Sequence, residues 1–180
     1  MKNILIVADM QKGFVKDKET IEVSKKIKEL MKSDIFDTVI ATCFINGNDS
    51  IYEKLVNWDS LKSDDETMLV DGYTPLVDFV ITRGLYTCVN ADFIELLCQC
   101  NSGIYPTNVF IVGVDTECSV LSITKDLFER HMRPIVLSNY CFSNGGLKSH
   151  EAGLLCLEHL IGSNQVVSKE ITNRQDLNAI

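Results

Sequence analysis

The sequence is poor in the features that define several large classes of protein. Its 180 residues include only 17 Lys and Arg against 25 Asp and Glu, which gives a net charge of −8. Nucleic acids and anionic membranes are bound by clustered basic side chains, so neither is expected as a partner. No apolar run is long enough to span a bilayer. The short apolar start at 3–8 is followed by Asp9, which indicates a strand rather than a signal peptide and favours a cytoplasmic protein.

Motifs for metals and phosphates are also missing. Neither Gly-x-Gly-x-x-Gly nor the Walker pattern occurs. The seven cysteines lie mostly in apolar runs, as reduced thiols do, and Cys98 and Cys100 have no second pair at zinc-finger spacing. The loop after the second strand contains Asp49 but no histidine, which excludes a His/Asp metal cluster there. We therefore expect neither a metal nor an organic cofactor.

Short apolar runs alternate with helical periodicity along most of the chain. Strands are predicted at 3–8, 38–45, 78–82, 107–113, 134–138 and 164–168. Helices are predicted at 19–31, 91–100, 117–131 and 147–161. This alternation is typical of βαβ units with helices on both faces of a sheet. The predicted fold class is α/β: a three-layer α/β/α, Rossmann-like domain with a mainly parallel sheet of about six strands, spanning residues 1–180.

The helical patterns also predict which faces are buried. In helix 117–131 the predicted stripe consists of Val120, Ile123, Leu127 and Phe128. In helix 147–161 it consists of Ala152, Leu155, Cys156 and Leu160. The mixed segment 51–78 predicts a long excursion between strands.

Ligands of parallel sheets bind beyond the carboxyl ends of the strands, which directs attention to the residues that follow each strand. Asp9 comes directly after the first strand, where a partly dehydrated carboxylate can be tuned for proton transfer, or can simply cap a turn. Gln11 and Phe14 follow at a spacing that could line the same pocket. Arg83 follows the third strand and is either a partner for Asp9 or for a substrate carboxylate, or a surface arginine.

The turn from strand 107–113 into the next helix is the most informative segment. Gly113 ends the strand and helical periodicity begins within six residues, so backbone amides and a helix N-terminus converge there, as in sites that bind anions or oxyanions. The Cys118 thiol or the Ser119 hydroxyl would be activated in such a position. The alternative is that Thr116 caps the helix and Cys118 is a packing residue.

Three motifs resemble those of the isochorismatase-like hydrolases, in order and over nearly the whole chain. Asp9, Gln11 and Phe14 match the family's Asp-x-Gln-x-x-Phe after its first strand. The run 113–121 is similar to the family's nucleophile segment Gly-Val-x-Thr-x-x-Cys-Val, and the run 82–87 is similar to its Lys-x-x-Tyr-Ser stretch. The run 42–46 together with Trp58 looks like the metal-free branch of the family.

The resemblance implies roles for individual residues. Asp9 would be the base, and Arg83 stands where the family has lysine. An ungapped match places Ser119 in the position of the nucleophilic cysteine, whereas Cys118 lies one residue earlier, about 100° away around the helix. A cis peptide is implied between Val114 and Asp115. The amides of Asp115 and Ser119 are implied as oxyanion donors. Contacts with the substrate or the oxyanion are implied for Val114, Asp115, Gln11, Phe14 and Tyr86.

The resemblance predicts hydrolysis of a small amide or a related C–N or C–O bond. The alternative is a catalytically inactive member that binds a ligand or serves in assembly, because fold alone guarantees no chemistry. A small-molecule substrate is the expected partner. By analogy with the family, the chain is also expected to form a homo-oligomer, a dimer or tetramer.

Overall fold

The computed structural model describes residues 2–180, which form one parallel sheet with helices on both faces. The strands are β1 (Ile4–Ala8), β2 (Thr38–Phe44), β3 (Phe79–Arg83), β4 (Asn108–Gly113), β5 (Arg133–Cys141) and β6 (Val166–Val167). All neighbouring strands pair in parallel, in the order β3-β2-β1-β4-β5-β6. The predicted α/β class with a parallel six-stranded sheet is confirmed.

Helices and short turns connect the strands. The helices are α1 (Lys18–Lys32), α2 (Ile51–Val56), α3 (Asp64–Thr67), α4 (Ala91–Cys100), α5 (Leu121–Phe128), α6 (Leu147–Ile161) and α7 (Arg174–Asn178). The predicted excursion 51–78 contains α2, α3 and one 3₁₀ turn. No helix within residues 2–180 is long and apolar enough to cross a membrane.

The alternation of side chains along β1 divides the core into two layers. Ile4, Ile6 and Ala8 pack with residues of α4, α5 and α6, whereas Leu5 and Val7 pack with residues of α1 and α7. All five residues are fully buried, as expected for a central strand whose two faces are both covered. The order of strands reverses between β1 and β4, so the carboxyl ends of these two strands open onto the crevice where such sheets bind ligands.

The helix predicted at 117–131 is divided. It begins with a π-helical turn at Thr116–Val120, continues as α5, and ends at Phe128. Val120, Ile123 and Leu127 are buried as predicted, but Phe128 is 45% exposed because the helix ends there. Turns of this type occur frequently at functional sites.

The predicted buried face of α6 is wrong. Gly153, Leu157 and Ile161 are buried, whereas Ala152, Leu155, Cys156 and Leu160 are exposed. A Cβ at Gly153 would lie 2.8 Å from the backbone nitrogen of Glu117. The glycine therefore allows α6 to approach the π-helical turn closely, and this contact selects the buried face although apolar residues occur on other sides as well.

Candidate active site

Asp9 is the central residue of the site. It follows β1 in a left-handed conformation with a φ of 51° and is only 1% exposed. Its Oδ1 accepts a hydrogen bond of 2.7 Å from the Thr42 hydroxyl on β2, and its Oδ2 accepts one of 2.6 Å from the Ser119 hydroxyl. Three segments that are distant in sequence thus converge on one buried carboxylate.

Gly113 allows β4 to end close enough to β1 for this convergence. Its φ is 124°, and a Cβ at this position would lie 2.1 Å from the carbonyl oxygen of Ala8. No other residue fits both the conformation and the space. The glycine therefore fixes the distance between Asp9 and the turn that carries Ser119.

Arg83 is the last residue of β3 and completes a buried triad with Asp9 and Ser119. Its Nη2 donates to Asp9 Oδ2 and, at 2.9 Å, to Ser119 Oγ, and its Nη1 donates to the Leu85 carbonyl. Burial raises the pKa of the Asp9 carboxyl above its ordinary value, although Arg83, Ser119 and Thr42 oppose the shift. Asp9 is therefore a stronger proton acceptor than a free carboxylate, while Arg83 balances its charge.

Ser119, and not Cys118, faces Asp9. Both residues line a cavity beside the triad, but the hydrogen bond to Asp9 comes from the Ser119 hydroxyl. Burial first, and then the nearby carboxylates of Glu117, Asp115 and Asp9, raise the pKa of the Cys118 thiol to about 12. Cys118 is therefore a neutral thiol at physiological pH, which does not suit it to the nucleophilic role considered from sequence.

The peptide bond between Val114 and Asp115 is cis, as the resemblance implied. The Val114 side chain is fully buried and its amide donates to the Ala8 carbonyl at 3.0 Å, so neither group is free to contact a substrate. The Asp115 amide makes no hydrogen bond to another group of residues 2–180. Of the two residues, Asp115 alone keeps a free amide beside the cavity.

The cavity has a volume of about 290 Å³ and a largely aromatic wall. Its lining residues are Gly13, Phe14, Phe44, Tyr52, Val56, Trp58, Ser60, Tyr86, Asp115, Cys118, Ser119 and Asn144. The volume lies at the small end of the range of roughly 300–1,000 Å³ that is usual for small-molecule sites. Phe14 and Tyr86 thus take the places beside the cavity that the sequence suggested.

Gln11 does not line the cavity. Its side-chain nitrogen donates to the carbonyls of Phe44 and Thr67, at 2.9 and 2.8 Å, and its oxygen accepts from the Phe44 amide at 2.8 Å. Both ends of this buried amide are occupied, so Gln11 fixes the end of β2 instead of contacting a substrate. The substrate contact predicted for Gln11 is therefore wrong.

Asp115 contributes a carboxylate to the cavity wall. Its Oδ1 accepts two hydrogen bonds of 2.7 Å from the backbone amide and the side-chain nitrogen of Asn144. Burial raises the pKa of the Asp115 carboxyl to about 6, against the lowering effect of these two bonds. At physiological pH the group is mainly ionised, and within residues 2–180 it has no basic partner.

Sequence reasoning assigned no role to several residues of the site. Thr42, Phe44 and Trp58 match one branch of the family but have no predicted role, and no sequence motif includes Tyr52 or Asn144. Thr42 is the polar residue near the carboxyl end of a mostly apolar buried strand, which is a signal that the sequence carries. Asn144 gave no signal, because its contact with Asp115 spans 29 residues and depends on the tertiary fold.

Residues 2–180 contain no group of three or more His, Cys, Asp and Glu side chains placed to hold a metal ion. The buried triad instead brings together a proton acceptor, a cation and a hydroxyl beside a cavity that fits a small molecule. These are the parts from which sites for nucleophilic chemistry are built.

The chain belongs to the isochorismatase family: the model of the isochorismatase domain matches residues 3–167. No curated protein sequence has significant similarity to the chain.

Solved structures share the fold at low sequence identity. An isochorismatase-like hydrolase from Alkaliphilus metalliredigens is 18% identical, with a TM-score of 0.77 over 99% of both chains. The nicotinamidase PncA from Bacillus subtilis is 18% identical, with a TM-score of 0.76 over 93% of this chain and all of the other. The pyrazinamidase/nicotinamidase from Streptococcus mutans is 18% identical, with a TM-score of 0.73 over 89% of this chain and 98% of the other.

Proposed function

We propose that the chain hydrolyses a small amide or a related C–N or C–O bond, with Ser119 as nucleophile and Asp9 as its base. The observation that carries this proposal is the 2.6 Å hydrogen bond from the Ser119 hydroxyl to the buried Asp9 carboxylate. A hydroxyl is a weak nucleophile unless a neighbouring base takes its proton, and Asp9 is placed to do so. Family membership supports the same class of reaction.

In the hydrolysis of an amide, Asp9 accepts and returns one proton in each half of the reaction. Ser119 Oγ attacks the carbonyl carbon while its proton passes to Asp9, and the amides of Asp115 and Ser119 are the proposed donors to the oxyanion. Collapse of the tetrahedral intermediate breaks the C–N bond, and Asp9 returns the proton to the leaving amine. Water then gives a proton to Asp9 and attacks the acyl ester. The ester C–O bond breaks, the carboxylic acid leaves, and Asp9 returns the proton to Ser119 Oγ.

Arg83 stabilises charge through the whole cycle. Its Nη2 contacts both Asp9 and Ser119, so the cation lies beside the negative charge whether the carboxylate or the serine oxygen carries it. Unlike the lysine of the family, it remains protonated throughout. The general base in this arrangement is therefore Asp9 alone.

The decisive experiment measures ammonia release from a panel of small primary amides. Ser119→Ala is expected to lower kcat/KM by about 10³-fold or more, as removal of a nucleophile does in comparable triads. Cys118→Ala is the matched control, because it removes the neighbouring thiol and leaves Asp9 its partners. We expect this variant to keep activity within about threefold, the range of changes below 1 kcal/mol. If Cys118→Ala loses activity and Ser119→Ala keeps it, the nucleophile is Cys118.

The alternative function is ligand binding without turnover. It is favoured by one contact: Arg83 donates to Ser119 Oγ, which occupies a lone pair that the nucleophile would use. Ser119→Cys separates the two functions, since a thiol is the stronger nucleophile and should raise amidase activity in an otherwise competent site. If neither the native protein nor Ser119→Cys hydrolyses any amide of the panel, the hydrolase proposal is wrong and the binding function is favoured. Homo-oligomerisation and a cytoplasmic location stay predictions.

A further inference from the structure

Five aromatic rings form a continuous wall around one side of the cavity. Phe44 lies 5.0 Å from Tyr52 and 5.6 Å from Trp58, measured between ring centroids. Phe14 stacks on Trp58 at 5.9 Å, and Tyr86 meets Tyr52 edge to face at 5.2 Å. Rings grouped in this way suit either an uncharged aromatic ligand or a cation held against the electron-rich faces.

The charges around the cavity decide between these two classes of ligand. Among the lining residues in the described part of the chain, Asp115 alone carries a formal charge. Behind them, Arg83 and Asp9 form an ion pair whose side chains are 5% and 1% exposed, so the cation of Arg83 is already balanced. The net charge at the cavity is therefore negative, which attracts a cation and repels a carboxylate.

The Asp115 carboxylate is also held in place. Asn144 binds its Oδ1 through two donors, while within residues 2–180 its Oδ2 accepts no hydrogen bond. One oxygen is thus anchored and the other remains for a ligand. A fixed carboxylate that lines the same cavity as a cluster of aromatic rings has the composition of sites that recognise ammonium groups.

From this arrangement we propose that the cavity selects small molecules that carry an organic cation, an ammonium group held between Asp115 and the aromatic wall. The substrate would then present its scissile bond to Ser119 while the cation lies against Asp115. This substrate class rests on the proposed hydrolase function, but the selectivity can be measured by binding alone.

Trp58 provides a direct readout of occupancy, since it is the only tryptophan of the chain and lines the cavity. Its fluorescence is followed while the full chain is titrated with choline and with 3,3-dimethylbutan-1-ol, which has the same shape without the charge. We expect choline to bind about tenfold more tightly than the alcohol, which corresponds to the upper range of a cation–π contact with a carboxylate nearby. Equal affinities would overturn the proposal.

Three variants test the source of the preference. Asp115→Asn keeps the acceptor for Asn144 and removes the charge, so the preference for choline should fall to about twofold or less. Asp34→Asn is the matched control, because Asp34 is an exposed residue on the connection before β2, at the opposite edge of the sheet. Tyr86→Leu removes one ring from the mouth of the wall and should weaken choline about threefold without changing the affinity of the alcohol. An unchanged preference in both cavity variants would overturn the proposal.

Turnover separates this inference from the proposed function. Betaine amide and 3,3-dimethylbutanamide differ only in that a quaternary nitrogen replaces a carbon, and both carry a primary amide. We expect a higher kcat/KM for betaine amide, and a smaller ratio of the two values in Asp115→Asn. Selective choline binding with no hydrolysis of either amide would support the inference and contradict the hydrolase. A higher kcat/KM for 3,3-dimethylbutanamide than for betaine amide would support the hydrolase and contradict the preference for a cation.

Discussion

Two carboxylates lie beside the cavity, the buried Asp9 and the half-buried Asp115, and different partners stabilise them. Asp9 has an arginine and two hydroxyl donors around it, whereas the donors to Asp115 come from one uncharged residue, Asn144. The pKa of each is raised by burial, but in Asp9 a cation opposes the shift. Asp9 is therefore arranged for chemistry within the protein, whereas Asp115 has no charged partner within residues 2–180 and a ligand could supply one.

The largest change should follow the removal of the cation from the buried triad. Arg83→Ala leaves Asp9 as an uncompensated buried charge, so we expect a loss of about 3–5 kcal/mol in the free energy of unfolding at pH 7.5. The same variant raises the pKa of Asp9 further, because the favourable charge is gone. The stability that remains should therefore decrease as the pH rises from 5 to 7.5, as urea denaturation would show.

Arg83→Lys is the control for this experiment. It keeps a positive charge near Asp9 but cannot reproduce the three hydrogen bonds of the two Nη atoms. The loss of stability should therefore be clearly smaller than that of the alanine variant. If alanine and lysine have the same effect, or if both cost less than about 1 kcal/mol, the charge of Arg83 does not stabilise Asp9.

Removal of the second carboxylate should have the opposite sign. The pKa of Asp115 is about 6 in the folded chain against an ordinary value of 3.8, so ionisation costs the folded state at most about 3 kcal/mol. The stabilising contribution of the protonated form is complete below the ordinary pKa and is lost as the pH rises through the folded-state pKa. Asp115→Asn should therefore raise the free energy of unfolding by about 1–3 kcal/mol at pH 7.5, and by much less at pH 4.

Asp34→Asn again serves as the control. Asp34 is exposed and has a φ of 54°, which asparagine tolerates, so its replacement should change stability by less than about 0.5 kcal/mol at either pH. A destabilised Asp115→Asn would show that the carboxylate is fully stabilised by Asn144 and would weaken the proposed cation site.

The sequence predicts the secondary structure and the fold class better than the tertiary contacts. Helices at 91–100 and 147–161 have the predicted bounds, because apolar periodicity and flanking residues such as Asn90 and Gly162 are local signals. The buried face of α6, in contrast, is predicted wrongly. Apolar residues occur around much of this helix, and the contact of Gly153 with the π-helical turn is a tertiary event that periodicity does not encode.

The same division holds for the site. Asp9, Arg83 and Ser119 could be found because the ends of parallel strands meet at one edge of the sheet, and because three motifs match a family. Tyr52 and Trp58 of the aromatic wall belong to the excursion 51–78, which has no periodic pattern from which their positions could be predicted. Within residues 2–180 Asp115 has no basic partner, and this depends on tertiary packing, which no local pattern in the sequence predicts.

A further substitution removes one of the two hydroxyl donors to Asp9. Thr42→Val removes the donor to Asp9 Oδ1 at nearly constant volume, and a buried bond to a charged group contributes about 1.5–3 kcal/mol. The loss of this donor should raise the pKa of Asp9, so the acid limb of the pH profile of kcat/KM should move to higher pH. Thr124→Val is the matched control, because the buried Thr124 hydroxyl has no partner within residues 2–180 and its removal should be neutral or stabilising. Equal effects of the two substitutions on unfolding in urea would show that Thr42 contributes packing alone, and that Asp9 depends on Arg83 and Ser119 for its charge.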